Sequence, residues 1–275
     1  MWEAEGFAEA AGKNLVFVSL DFPRDQKIKD LVPNPERNEE LKNKYGIRGF
    51  PTVLIMTPDG LVFGKTGYRQ GGAEPYIEHL NEMLETGKKD LADVEKLTKA
   101  LDRAEKSEDK DRAIDAIIAK LTKMDPESPF ITPLADVVSR VYPTAKGDRR
   151  KACVEALVAA GRVDAELLAE AKRIDPDGTS GTWAKAVNSL AGQVNSDEQL
   201  EVAMKAIEDL FANAKSVAKD PGSTLCANMA FWSFRIKEDE EAATRWATRG
   251  LEMVKDSEDP ADDRMRKFFE DMLEE

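Results

Sequence analysis

Strand-type apolar runs occur only in the first third of this 275-residue chain, and this asymmetry is the strongest constraint on its fold. Two such runs are "LVFVSL" at residues 15–20 and "TVLIM" at Thr52–Met56. From residue 91 to the end, apolar residues instead recur every three or four positions, which is typical of amphipathic helices. We therefore predict an α/β domain at residues 1–88, followed by an all-α domain at residues 89–275.

The first domain is predicted to contain strands and helices in alternation. The run at 15–20 has almost no polar alternation, which is typical of a strand buried on both faces inside a sheet. Pro58 and Gly60 in "TPDG" indicate a turn that joins the strand at 52–56 to a second strand at 61–68. Helices are predicted at 2–11, at 38–45 and from about 73 to 87, where Gly87 is expected to end the last one.

The second domain is predicted to be a series of short helices stacked as antiparallel pairs. Four Asp-Pro turns separate several of them, and the aspartate of such a turn can cap the next helix while proline occupies its first turn. The predicted helices are 93–106, 111–123, 131–142, 148–160, 164–174, 182–194, 197–214, 223–237, 240–256 and 261–273. The segment 225–256 resembles one tetratricopeptide unit, but the same register does not recur upstream, so a plain helical hairpin remains the alternative.

Composition excludes several classes of function. The net charge of −13 repels phosphate backbones, so nucleic acid is not an expected partner. No apolar run reaches the roughly 18 to 20 residues that membrane insertion requires, and the first residues lack the pattern of a signal peptide. One histidine, His79, and two cysteines cannot complete a structural zinc site, so neither a metal nor another cofactor is expected.

In one motif a proline stands where an apolar strand should begin. The sequence "KYGIRGFPTVLIM" places Pro51 directly before the strand at 52–56. Together with "LVFVSLDF", "PDG", "LVFGKTGY" and the helix containing "YIEHLNEML", it resembles the later two thirds of a thioredoxin domain. The resemblance covers roughly residues 1–87, and its most specific part is Tyr-Gly-Ile-Arg-Gly-aromatic-Pro-Thr.

The resemblance implies a role for three residues. In such domains the proline, here Pro51, follows a cis peptide bond, and Phe50, Pro51 and Thr52 would shape an edge that binds a protein or peptide substrate. The family's thiol–disulfide exchange requires a Cys-x-x-Cys motif at a helix N-terminus, and this sequence has none. Its cysteines, Cys153 and Cys226, are expected to pack inside helices. The chain as given is therefore expected not to reduce disulfides.

The same resemblance carries an expectation about the start of the chain. Family order would put the cysteine motif and a central strand just upstream of Met1, so we expect a longer parent that is a thiol–disulfide oxidoreductase. Related bacterial proteins are often exported, which would make a periplasmic location the expectation for that parent. The alternative is a shortened sheet in which residues 15–20 pair directly with residues 52–57.

Three further features favour structural roles over functional ones. His79 lies on a helix without a nearby nucleophile motif, so a surface or half-buried histidine is expected. The segment "DPDGTSG" lacks the glycine and glutamate of a calcium loop and is expected to be a capping turn. An aromatic cluster could serve a non-catalytic adaptor that binds a protein partner through its helical domain, although core packing is the favoured interpretation. Its members are Phe231, Trp232, Phe234 and Trp246.

Overall fold

The computed structural model describes Phe7, Gly12, residues 15–124 and residues 128–274. It separates into two compact units, one of residues 1–99 with 128–130 and one of residues 100–127 with 131–275. The helix predicted at 2–11 lies outside the described residues except for Phe7, which is helical and buried. Each unit is treated by itself below.

The described part of the N-terminal unit contains three helices and one hairpin. An antiparallel pair forms its sheet, with Thr52 opposite Gly67 and Ile55 opposite Gly64, and a bulge follows Ile55. Both strands, the turn between them and the helix before them were predicted, although that helix begins three residues earlier than expected. The elements are α1 Gln26–Lys29, α2 Pro35–Lys44, β1 Thr52–Met56, β2 Val62–Gly67 and α3 Ala73–Arg103.

The prediction of a buried strand at residues 15–20 was wrong. The described residues form one sheet, which contains only β1 and β2. This segment therefore has no strand partner among the described residues. Val16 is 93% exposed and Val18 is 79% exposed, so the side chains are not in a core. The alternative of a direct pairing with residues 52–57 is therefore contradicted as well. A strand cannot satisfy its backbone hydrogen bonds alone, and no residue that the structure describes pairs with this segment.

The prediction that a helix ends at Gly87 was also wrong, because α3 continues without interruption to Arg103. Gly87 has a packing role instead. A Cβ atom at this position would lie 2.4 Å from Cδ2 of Phe63 and 2.7 Å from its carbonyl oxygen. Glycine therefore lets α3 approach β2 closely, and the predicted domain boundary at residue 88 falls inside this helix.

The helical unit follows the predicted order of helices. Its described elements are α4 Ser107–Thr122, α5 Ile131–Val141, a 3-10 turn Tyr142–Thr144, α6 Gly147–Ala159, α7 Ala165–Ile174, α8 Thr182–Ala191, α9 Asp197–Asn213, α10 Lys219–Arg235, α11 Glu240–Val254 and α12 Pro260–Glu274. Several begin at a side chain that accepts a backbone N–H hydrogen bond, as at Asp164, Ser196 and Asp239. Asp259 of an Asp-Pro turn likewise accepts from the N–H of Ala261.

Two apolar clusters form much of the core of the helical unit. One surrounds Trp183, which is 1% exposed, and the other surrounds Phe269, which is fully buried. Gly250 of α11 lies against the Phe269 ring, so close that an added Cβ atom would overlap ring carbons. Within the residues that the structure describes, no helix is both long and apolar enough to cross a bilayer.

Candidate functional site

The predicted substrate edge is a short loop that leads into β1. The Phe50–Pro51 peptide bond is cis, as the thioredoxin resemblance implied. Thr52 Oγ1 donates a hydrogen bond to the Gly49 carbonyl at 2.7 Å, which closes the turn before the strand. A Cβ atom on Gly67 of β2 would lie only 2.9 Å from the Pro51 carbonyl oxygen, so glycine allows the two backbones to meet there.

An aromatic pair extends this edge. The rings of Phe22 and Phe50 are stacked, with centroids 4.9 Å apart. The ammonium group of Lys42 lies 5.8 Å from the centroid of the Phe22 ring. Phe50 itself is 58% exposed, an unusual position for a large apolar side chain. Within this pair, Phe50 therefore contributes most of the accessible aromatic surface.

A groove of about 790 Å³ lies between residues 17–24 and residues 50–53. Thr52 and Val53 at the start of β1 line it, and no residue of β2 does. Four phenylalanine side chains contribute to its surface, together with Pro51 and two charged residues. The phenylalanines are Phe7, Phe17, Phe22 and Phe50, and the charged residues are Asp21 and Arg24. We refer to this feature as the β1 groove.

Only part of the β1 groove was recognised from the sequence. Phe50, Pro51 and Thr52 were predicted and do line it. Phe22 and Arg24 were missed, because "DFPRD" gave no sign of which residues would lie beside the loop. Asn38 of α2 donates a hydrogen bond from Nδ2 to the Asp21 carbonyl at 3.4 Å, which links α2 to one side of the groove. Arg48 of the same motif does not line the groove.

His79 has a structural role on the face of α3 that meets β2. Its Nδ1 atom lies 2.5 Å from Nη1 of Arg69 and must accept, because an arginine can only donate. The proton is therefore on Nε2, which donates to Thr66 Oγ1 at 2.9 Å. Burial, with help from the Arg69 charge, lowers the pKa of His79 below its usual value. The prediction of a half-buried histidine is confirmed.

Neither cysteine is placed for thiol chemistry. Cys153 and Cys226 are fully buried within α6 and α10 of the helical unit. Burial raises the pKa of the Cys226 thiol to about 12 and also raises the pKa of Cys153. Because the thiolate is the nucleophile, both side chains are held in the unreactive form at neutral pH. The prediction of buried packing is confirmed.

The calcium-like segment is a helix cap. Both carboxylate oxygens of buried Asp175 accept backbone hydrogen bonds, from Ser180 at 2.9 Å and from Trp183 at 3.1 Å. These bonds fix the turn that leads into α8. Across the part of the chain that the structure describes, no group of three or more histidine, cysteine or acidic side chains could hold a metal ion.

The aromatic cluster of the helical unit is mostly packed. Trp232 and Trp246 are partly buried against the core, and Trp246 meets Phe211 edge to face at a centroid distance of 5.3 Å. Phe234 is also partly buried, whereas Phe231 is 46% exposed. The cluster therefore follows the favoured interpretation of core packing at three of its four positions.

Comparison with known proteins gives one curated relative. Over 82 residues the chain is 29% identical to the disulfide bond reductase DsbH of Chlamydia pneumoniae. The match covers 30% of this chain and 48% of the relative, so the chain spans about half the length of that protein. This similarity supports a thioredoxin-like relationship and a link to thiol–disulfide oxidoreductases. No family model and no solved structure matches the chain.

Proposed function

We propose that the N-terminal unit is a thioredoxin-like module that binds extended polypeptide at Phe50, Pro51 and Thr52 without reducing disulfides in the chain as given. The observation that carries this proposal is an exposed Phe50 and Pro51, joined by a cis peptide bond, beside an edge of β1 that has no strand partner among the described residues. Open strand edges recruit extended peptides through main-chain hydrogen bonds, and pockets beside them select side chains. The relative's activity supports a protein substrate.

The absence of reductase activity follows from the cysteines. The sequence holds only Cys153 and Cys226, and burial keeps both thiols protonated. Disulfide exchange needs an accessible thiolate, which neither side chain supplies.

Insulin reduction and thiol titration test the redox part. With dithiothreitol present, we expect the protein to leave the rate of insulin precipitation at the background value. A thiol reagent should find no fast-reacting cysteine in the folded protein and two after denaturation. Thioredoxin-like acceleration of insulin reduction would contradict the proposal.

Binding to an unfolded protein tests the substrate edge. We expect the chain to bind reduced, carboxymethylated insulin B chain, and the Phe50→Ser variant to bind it at least tenfold more weakly. Leu61→Ser is the matched control, because Leu61 is also exposed but lies at the other end of the hairpin. Equal loss in both variants would show that the edge is not the binding site.

The adaptor alternative places partner binding on the helical unit instead. Its one favourable observation is the exposed ring of Phe231 on α10. Under this alternative the Phe231→Ser variant would lose partner binding and the Phe50→Ser variant would retain it.

A further inference from the structure

One imidazole connects the loop that follows β2 to α3. The loop, residues 68–72, lies between the two elements and is exposed throughout; we refer to it as the β2–α3 loop. Arg69 of this loop donates a hydrogen bond from Nη1 to Nδ1 of His79 on α3 at 2.5 Å. Within the described chain, this is the only side-chain hydrogen bond or ion pair of the loop. Its side-chain anchoring therefore depends on His79.

The backbone of the β2–α3 loop can change conformation once this anchor is lost. Gly71 and Gly72 both have positive φ, at 114° and 88°, and glycine reaches alternative conformations at little steric cost. The loop starts directly after Gly67, where the backbone of β2 meets the Pro51 carbonyl. A change in the loop would therefore occur beside the substrate edge.

Only the neutral form of His79 can hold Arg69. Nδ1 accepts from the guanidinium group, while Nε2 donates to Thr66 Oγ1 of β2 at 2.9 Å. A protonated imidazole carries hydrogen on both nitrogens, so it has no acceptor to offer to an arginine. It would also place a second positive charge at hydrogen-bond distance from the guanidinium group.

The groups around the ring determine which form is present. Burial and the Arg69 charge lower the pKa of His79, and Glu82 on α3 opposes them without reversing the direction. Tyr76 of α3 meets the ring edge to face at 6.1 Å, and burial raises the pKa of its phenol, so it stays neutral. On β2 the facing residue is the neutral Thr66. The imidazole is therefore neutral at neutral pH and binds a proton only below its ordinary pKa of about 6.5.

We propose that His79 is a pH switch for the β2–α3 loop. The neutral ring holds Arg69 and orders the loop, and a proton taken up by Nδ1 breaks this hydrogen bond and frees the loop. The loop is thus held at neutral pH and released in mildly acidic solution. The proposal goes beyond the proposed function and does not depend on what Phe50 and Pro51 bind.

Nuclear magnetic resonance of the ring tests the first step, because His79 is the only histidine of the chain. In the ¹⁵N-histidine-labelled protein we expect one ring that carries its proton on Nε2 at neutral pH and titrates with a midpoint below about 6.5. Arg69→Gln should raise this midpoint, because a positive charge beside the ring is removed. Arg48→Gln is the matched control, an exposed arginine of the same unit that does not bond to His79. A midpoint that Arg69→Gln leaves unchanged would overturn the proposal.

Amide relaxation of the ¹⁵N-labelled protein tests the release. Between neutral pH and about pH 5, the order parameters of residues 68–72 should fall from about 0.85 to below about 0.6, with the midpoint of the ring titration. Gly60, in the turn at the other end of the hairpin, should keep its value. Arg69→Gln should leave the loop mobile at both pH values, even if a variant at His79 does not fold.

His79→Gln removes the titration and keeps an acceptor, because the glutamine side-chain oxygen can accept from Arg69 and does not bind a proton in this range. We expect the mobility of the β2–α3 loop in this variant to be the same at both pH values. A loop that stays equally ordered in the unmodified protein at about pH 5 would overturn the proposal. The same conclusion would follow if the loop of His79→Gln loosened with falling pH as in the unmodified protein.

Discussion

The two units of this protein place similar apolar residues in opposite environments. In the helical unit Cys226 and Phe269 are fully buried, whereas Val16 and Val18 of the N-terminal unit are mostly exposed. Both sets lie in apolar patterns that predicted a buried element, a helical spacing in the first and a continuous run in the second. The difference shows that an apolar segment is buried only if its backbone N–H and C=O groups can form hydrogen bonds. A helix forms these bonds internally, whereas a strand needs a neighbouring strand.

The same contrast explains why function is inferred for the N-terminal unit. A helical unit with packed aromatic residues presents little unsatisfied apolar surface, apart from side chains such as Phe231. The β1 groove combines the exposed rings of Phe17 and Phe50 with a cis-proline loop. An exposed apolar patch of this kind indicates a binding surface.

The largest effect is expected from Phe269→Ala in the helical unit. This change removes a fully buried ring and leaves a cavity beside Gly250, so it should lower the free energy of unfolding by about 3–5 kcal/mol. Urea denaturation followed by tryptophan fluorescence measures it, because Trp183, Trp232 and Trp246 all lie in this unit. Phe231→Ala is the control, and because its ring is half-exposed, this variant should lower the free energy of unfolding much less. Equal losses would contradict the burial described here.

A smaller effect is expected from Gly87→Ala in the N-terminal unit. Alanine favours a helix over glycine by about 1 kcal/mol, but here its Cβ atom would overlap Phe63. We expect the steric overlap to outweigh the gain in helix propensity, so the free energy of unfolding should fall by about 1–2 kcal/mol. Hydrogen exchange of the amides of α3 before residue 99 would report it. Gly192→Ala is the control, because a Cβ atom there would have its nearest contacts at 3.6 Å, and it should not lower the free energy of unfolding. A Gly87→Ala variant more stable than the unmodified protein would refute the close packing of α3 on β2.

The smallest effect is expected from Val16→Asp. Val16 is 93% exposed, so replacing it should change the free energy of unfolding by no more than about 0.5 kcal/mol. Hydrogen exchange of β1 and β2 in the variant and the unmodified protein would measure the difference. A loss of several kcal/mol would mean that residues 15–20 are buried in solution, and the contrast between the two units would then disappear.

Local patterns predicted most of the helices because a helix is a local structure. The ten predicted helical segments of the second domain correspond to α4–α12 and the end of α3, and Asp175 caps a helix as expected. The errors concern Gly87 and residues 15–20. In both cases the local pattern was typical of the predicted structure, and the outcome depended on residues distant in sequence. Gly87 packs against Phe63 inside a continuous helix, and residues 15–20 have no strand partner among the described residues.

The candidate site divides in the same way. The local sequence was enough to predict the unusual approach of Phe50, Pro51 and Thr52 to a strand, because proline next to an apolar run is a local signal. The folded chain was needed to show that Phe22 stacks on Phe50 and that Arg24 lines the same groove. These features join residues about thirty positions apart, and no period or spacing in the chain records which side chains meet across a groove.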